Sequence, residues 1–202
     1  MTENDQMKVA EARFSDAGKP LMEAQFSTVW NITEIVRRTI ERQGRFKDVL
    51  RDYSRAFADS EKNDAVRAEF TVRDIYAVRY GEEMKDTLQR LKSNEEQVRK
   101  QGLEPALEAA HKVLSIIQDG ETRPFYLAFD AAANDMAEHF TITEVAAKSL
   151  MKEAYEQATG LDLYDTGKAL EKQYHEPKRE EARQARDATK SQSRSRAPSM
   201  QP

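Results

Sequence analysis

The chain has no cysteine among its 202 residues. Disulfides, thiolate metal sites and a Cys nucleophile are therefore excluded, and the composition fits a reducing compartment. Seven glycines and six prolines are few turn formers for this length, which argues against an all-β fold. No run approaches the eighteen or so apolar residues of a membrane span. Met1 to Lys19 is polar and has no apolar h-region, so a Sec-type signal peptide is not expected and the reading is cytoplasmic. There is no Gly-rich phosphate loop, no GxSxG elbow, no HExxH and no kinase or deaminase signature.

What the chain does have is charge and helical pattern. Charged residues make up 34% and hydrophobic residues 39%. Net charge is −4, yet residues 177–202 carry seven basic and three acidic side chains, or +4, which leaves −8 on residues 1–176. An acidic body is unsuited to neutralising phosphates. The segment from Pro177 onward contains no Val, Ile, Leu, Phe, Tyr or Trp, so it has nothing from which to build a core.

Apolar residues recur at steps of three and four along most of the rest. Pro20 suits a helical first turn after the Gly18-Lys19-Pro20 break. Met22, Phe26, Val29, Thr33, Val36 and Ile40 then form one stripe, widened by Leu21 and Trp30, and Gly44 closes it. Phe46, Leu50, Tyr53 and Phe57 mark a second helix. After the polar stretch Asp59 to Asp64, Thr71 to Asp74 resembles a capping box where a helix starts or kinks. A long charged helix then continues past Val98, bent at Gly81, and either packs in the bundle or dimerises. Phe70, Val72, Tyr76, Val78 and Tyr80 also alternate with period two, but Asp74 spoils that face and no second strand follows, so the helix is retained.

Gly102, Gly120 and Gly160 separate the later helices, with Pro105 and Pro124 in first turns and Thr122 as a cap. Thr141-Ile142-Thr143-Glu144 reads as a capping box, with Phe140 stapled on Val145. Asp162 caps a last helix carrying Tyr164, Leu170 and Tyr174. The expectation is an all-α bundle of six or seven helices with a disordered basic C-terminal tail. Residues 1–19 form a polar, partly ordered segment, 20–176 one helical domain and 177–202 the tail.

Candidate chemistry is sparse. Asp135 and His139 share a helix face and make at most half a metal site; an exposed ion pair is the simpler reading. His111 reads as a flank of its apolar stripe and His175 as surface. Trp30, Phe125, Tyr126 and Phe129 read as core before they read as a pocket. Tyr76 and Tyr80 stand among Arg73 and Arg79 and read as half-buried core with wet hydroxyls, against an alternative of stacking on nucleic-acid bases. No catalytic, cofactor or metal residue is assigned, and no cofactor is expected.

The tail offers one resemblance. Arg186 is followed after seven residues by Arg194, and after one more by Arg196. This spacing resembles the arginine-rich C-terminal transport signal of type IV secretion substrates; the pattern's next arginine position holds Pro198. The resemblance covers only the tail. It implies a protein partner, a secretion coupling protein, and translocation through the type IV system. The tail residues singled out for partner binding are Arg183, Arg186, Lys190, Arg194 and Arg196. The chain reads as a non-enzymatic interaction protein, a substrate or accessory factor of a bacterial transfer or conjugation system borne on a plasmid. The alternative is a nucleic-acid-associated protein whose tail makes nonspecific phosphate contacts.

Overall fold

A computed structural model of the chain describes residues 5, 7–9, 12, 23–61, 64–119 and 123–195. The Gly18–Pro20 break, Leu21, Met22, Gly120 and the Thr122 cap lie outside them. From Glu23 on, the described residues form eight α-helices; the described residues before it are helical too, and none is in a strand. The eight helices are α1 (Glu23–Gln43), α2 (Lys47–Glu61), α3 (Ala65–Tyr80), α4 (Met84–Gln101), α5 (Glu104–Gln118), α6 (Phe125–Phe140), α7 (Glu144–Thr159) and α8 (Leu163–Ser195). No helix is long and apolar enough to cross a membrane among the described residues.

The fold is all-α, as the periodicity predicts, with one helix more than expected. The extra helix arises at Gly81. Its φ of 72° is left-handed and its N–H closes on the Ala77 carbonyl, so it terminates α3 instead of bending a longer helix. Asp64, not Thr71, starts α3: its carboxylate accepts from the Arg67 N–H. The Thr71 hydroxyl sits mid-helix and donates to the Arg67 carbonyl.

The chain divides into two compact units: Met1–Gln101 with Ala137–Ala147, and Gly102–Met136 with Lys148–Pro202. In the first, α1 packs on α2, α3 and α4, and α3 packs on α2 and α4. Phe26, Val29, Val36 and Ile40 of α1 are buried at the expected spacing, against Leu50 and Phe57 of α2, Val72 and Ile75 of α3 and Leu91 of α4. Burying each such side chain contributes roughly 1.5–3 kcal/mol. The alternating residues of α3 separate as a helix requires: Val72 and Tyr76 are buried, while Phe70 is exposed.

In the second unit α5 packs on α8. Pro105 lies in the first turn of α5. Phe125 and Phe129 of α6 stack at 5.8 Å, and both meet the Tyr164 ring edge-on at 5.3 Å. Gly167 of α8 packs directly on Phe125. The Glu171 carboxylate accepts from the Phe125 N–H at 3.2 Å, satisfying one of the open donors of that helix end. Asp162 caps α8 as expected, accepting from the Asp165 N–H at 2.9 Å.

The α6–α7 turn differs from expectation. Thr143 is the cap of α7, accepting from the Ala146 N–H at 3.1 Å. Thr141 instead ends α6 with φ at 52°. The Ile142 N–H reaches back to the Ala137 carbonyl at 3.0 Å, a Schellman closure. Val145 is 55% exposed, so it does not form the expected staple with Phe140.

Candidate functional site

The basic segment grows out of α8. Pro177 lies inside this helix, which runs on to Ser195. The proline therefore does not end the helix, although it removes the N–H that would satisfy the Gln173 carbonyl. The segment beyond it is rich in Ala, Glu, Arg, Lys and Gln, all good helix formers. A lack of apolar residues reports the lack of a core, not the lack of a helix. In keeping with that, every described side chain from Pro177 on is exposed. Arg183 and Arg186 are among these. Lys190 and Arg194 fall within the helical backbone, and Arg196 lies outside the described residues.

The three histidines stand on three different helices, α5, α6 and α8. His139 is exposed, with its ring edge-on to Phe140 at 4.7 Å. Asp135 is exposed as well. His111 is exposed and meets the Tyr155 ring at 5.9 Å and 90°, a flank position as expected. Among the described residues no group of three His, Asp or Glu is placed to hold a metal ion. His175, expected at the surface, is 1% exposed. Because α8 does not stop at Tyr174, its inward face continues through Leu163, Gly167 and Glu171 to His175, one turn at a time. Neither imidazole nitrogen has a hydrogen-bond partner.

Trp30 is buried in the first unit, Phe125 and Phe129 in the second, and Tyr126 is exposed. Trp30, Phe125 and Phe129 are core residues of their own units. Tyr76 is fully buried, which removes it as a base-stacking platform, and its hydroxyl is bonded to Thr87 Oγ1 at 3.0 Å.

The densest polar arrangement was not visible in the sequence. It joins α1, α3 and α4 in the first unit. Arg79, with only 8% of its side chain exposed, pairs with Glu34 at 2.8 Å. It also donates to the Trp30 carbonyl at 2.7 Å and to Thr33 Oγ1 at 3.2 Å. Arg37 pairs with Glu41 at 2.5 Å and with Glu82 at 2.8 Å. Arg90 donates to both oxygens of Glu82, at 2.8 and 3.3 Å. The Tyr80 hydroxyl donates to Glu34 at 2.8 Å, and the guanidinium carbons of Arg37 and Arg79 each lie 5.0 Å from the Tyr80 ring centre. Arg42 at the end of α1 pairs with Glu144 at the start of α7 at 3.0 Å.

The electrostatics of this cluster favour full ionisation. Hydrogen bonds from Arg90, against the opposing effect of burial, and then from Arg37 hold the Glu82 carboxyl at about 2. Burial works to raise Glu34, but hydrogen bonds from Tyr80 and Arg38 and the charge of Arg79 outweigh it and hold the carboxyl below its usual value. Burial pushes the Tyr80 phenol up, and its bond to Glu34 pushes it further. Burial opposes the charge on Arg37, yet hydrogen bonds to Glu82, Tyr76 and Glu41 hold it firmly protonated. A general acid needs a carboxyl shifted upward; these are shifted down. The cluster pins three helices together.

Only its local pieces were readable: Arg37 and Glu41, like Glu34 and Arg38, stand four apart. The pairing of Arg37 with Glu82, 45 residues away, has no local signature. Compared with known proteins, the chain matches no family model, no curated protein and no solved structure.

Proposed function

We propose that the chain is a non-enzymatic interaction protein that presents its C-terminal basic segment to an anionic protein partner. The observation that carries this reading is the exposure of Arg183, Arg186 and every other described side chain beyond Pro177 on a helix that continues from a packed unit. A cationic end without a core of its own can be captured electrostatically without unfolding the remainder. The positive segment and the acidic body divide the charge of one chain between a docking end and a soluble load.

The spacing of Arg186, Arg194 and Arg196 makes the partner a coupling protein of a bacterial type IV transfer system, with this chain its substrate or accessory factor. The test is a transfer assay of the full chain carrying an N-terminal reporter. Replacing all three arginines (R186A, R194A and R196A) abolishes transfer on this reading. Equal transfer of the triple variant and the parent sinks the transport-signal assignment.

A further inference from the structure

We propose that five basic residues of α8, Arg179, Arg183, Arg186, Lys190 and Arg194, act as one helical docking face for an acidic protein surface, and that the partner reads their register as well as their charge. This rests on the reading above that the C-terminal segment is the partner-binding end. It differs in what is recognised: the register of a helical charged face, not the charge of an extended tail alone.

The backbone is helical from Leu163 to Ser195. Arg179, Arg183, Arg186, Lys190 and Arg194 are spaced by four, three, four and four residues. At 3.6 residues per turn these positions fall within an arc of about 80° and along about 22 Å of the axis. Arg183 and Arg186 are exposed there. Lys178, the remaining basic residue of α8 beyond Pro177, falls outside this arc by the same register.

Folding accounts for this face only in part, through Glu180 and Asp187, which stand three or four residues from Arg183 and Lys190. Like charges three and four residues apart repel and oppose the helix that carries them. No buried contact compensates, since no described side chain beyond Pro177 is buried. An acidic partner removes the repulsion and turns the same spacing into complementary pairs. The helix itself need not nucleate alone, because its first half is already packed on α5.

The charge pattern favours protein over duplex nucleic acid. Glu180 and Asp187 stand along one border of the basic face by the same helical register. Phosphates of a duplex seated on that face would meet these carboxylates and the net −8 of residues 1–176. A protein surface can carry acidic residues opposite the arginines and a basic edge opposite the border.

The test uses the full chain and a fluorescein-labelled, alanine-based helical peptide bearing glutamates along one face, with binding read by anisotropy at low salt. R183A/R186A/K190A removes charge. A second variant exchanges each of these residues with a neighbour (R183Q/Q184R, A185R/R186A, K190S/S191K), which scatters the face and leaves composition unchanged. Both are expected to weaken binding about tenfold. A further pair, E176R and E181R, adds equal charge on and off the face, and only E176R is expected to tighten binding, by about threefold. This pair keeps the helix intact if the exchanges disturb it. If the exchange variant binds as the parent does and E176R and E181R are equivalent, the register claim is overturned while the charged-end reading stands. If the charge-removal variant binds as the parent does, both fail. If a short DNA duplex shows the register dependence and the glutamate peptide does not bind, the acidic-protein assignment is overturned.

Discussion

The guanidinium of Arg79 lies 4.4 Å from the centre of the Trp30 ring, and the same group donates to the Trp30 backbone carbonyl. One side chain thus holds both the ring and the backbone of its neighbour helix. Arg79 sits in the last turn of α3, where a cation also meets the negative end of the helix dipole. Its planar fork can stack and donate in several directions at once, which a lysine cannot do.

Replacing Arg79 therefore reports on the whole pin. R79A leaves Glu34 without one of its cations and takes one donor from the Trp30 carbonyl, which keeps the Thr33 hydroxyl at 2.7 Å; the expected loss is roughly 3 kcal/mol. R79K keeps the charge but loses stacking and geometry, at about 1–2 kcal/mol. Trp30 is the chain's one tryptophan, so its fluorescence follows the unfolding of this unit directly. An R79A denaturant midpoint equal to the parent's would remove Arg79 as a structural pin.

Glu82 makes stability pH-dependent in a defined window. Its folded-state value of about 2 lies below the ordinary 4.5, so its contribution is present above about pH 4.5 and is lost as pH falls toward 2. The contribution is on the order of 2 kcal/mol. Thermal melts of the parent should fall through that window, and those of E82Q should start lower and fall less steeply. Parallel curves for the two proteins would show that Glu82 is not the responsible group.

Gly167 is required by contact, not by backbone conformation. A Cβ there would stand 2.1 Å from the Phe125 ring. In an open helix Gly→Ala gains about 1 kcal/mol. Here G167A should instead lose about 1–2 kcal/mol net, since overpacking outweighs propensity. The double variant G167A/F125L should recover part of that loss, and chemical denaturation of the three proteins checks it.

Thr141 shows the opposite case. A β-branched residue at a φ of 52° is strained, and no side-chain contact of this residue explains the choice. T141G should raise stability by about 1 kcal/mol. A decrease would mean that the threonine side chain supports the turn.

His175 buries two nitrogens without partners. H175L replaces them with apolar atoms and should stabilise the chain by about 1 kcal/mol at neutral pH. A clear loss on calorimetry would indicate that the imidazole is held by a polar contact.

Much of the architecture is legible in local pattern. The stripe from Phe26 to Ile40, the closure at Gly44, Pro105 in a first turn and the Asp162 cap all depend on neighbours within one or two helical turns. Such preferences act on the chain wherever the segment is placed. Local pattern is ambiguous where two local rules compete. Thr141 and Thr143 both precede Glu144 within capping distance, and only the Schellman closure of α6 assigns the first to an ending and the second to a beginning. At Pro177 the missing apolar residues predict an end, while the surrounding helix formers carry the backbone onward.

The sequence alone determined the helical class, most helix boundaries and the division of charge between an acidic body and a basic end. These follow from periodicity, capping chemistry and composition, each a short-range property. Tertiary structure alone decided that Arg37 meets Glu82, that Arg79 covers Trp30 and that His175 turns inward. Those outcomes depend on which helix faces come together, and a chain with 36 carboxylates and 32 basic residues offers far too many possible partners for spacing to choose among them.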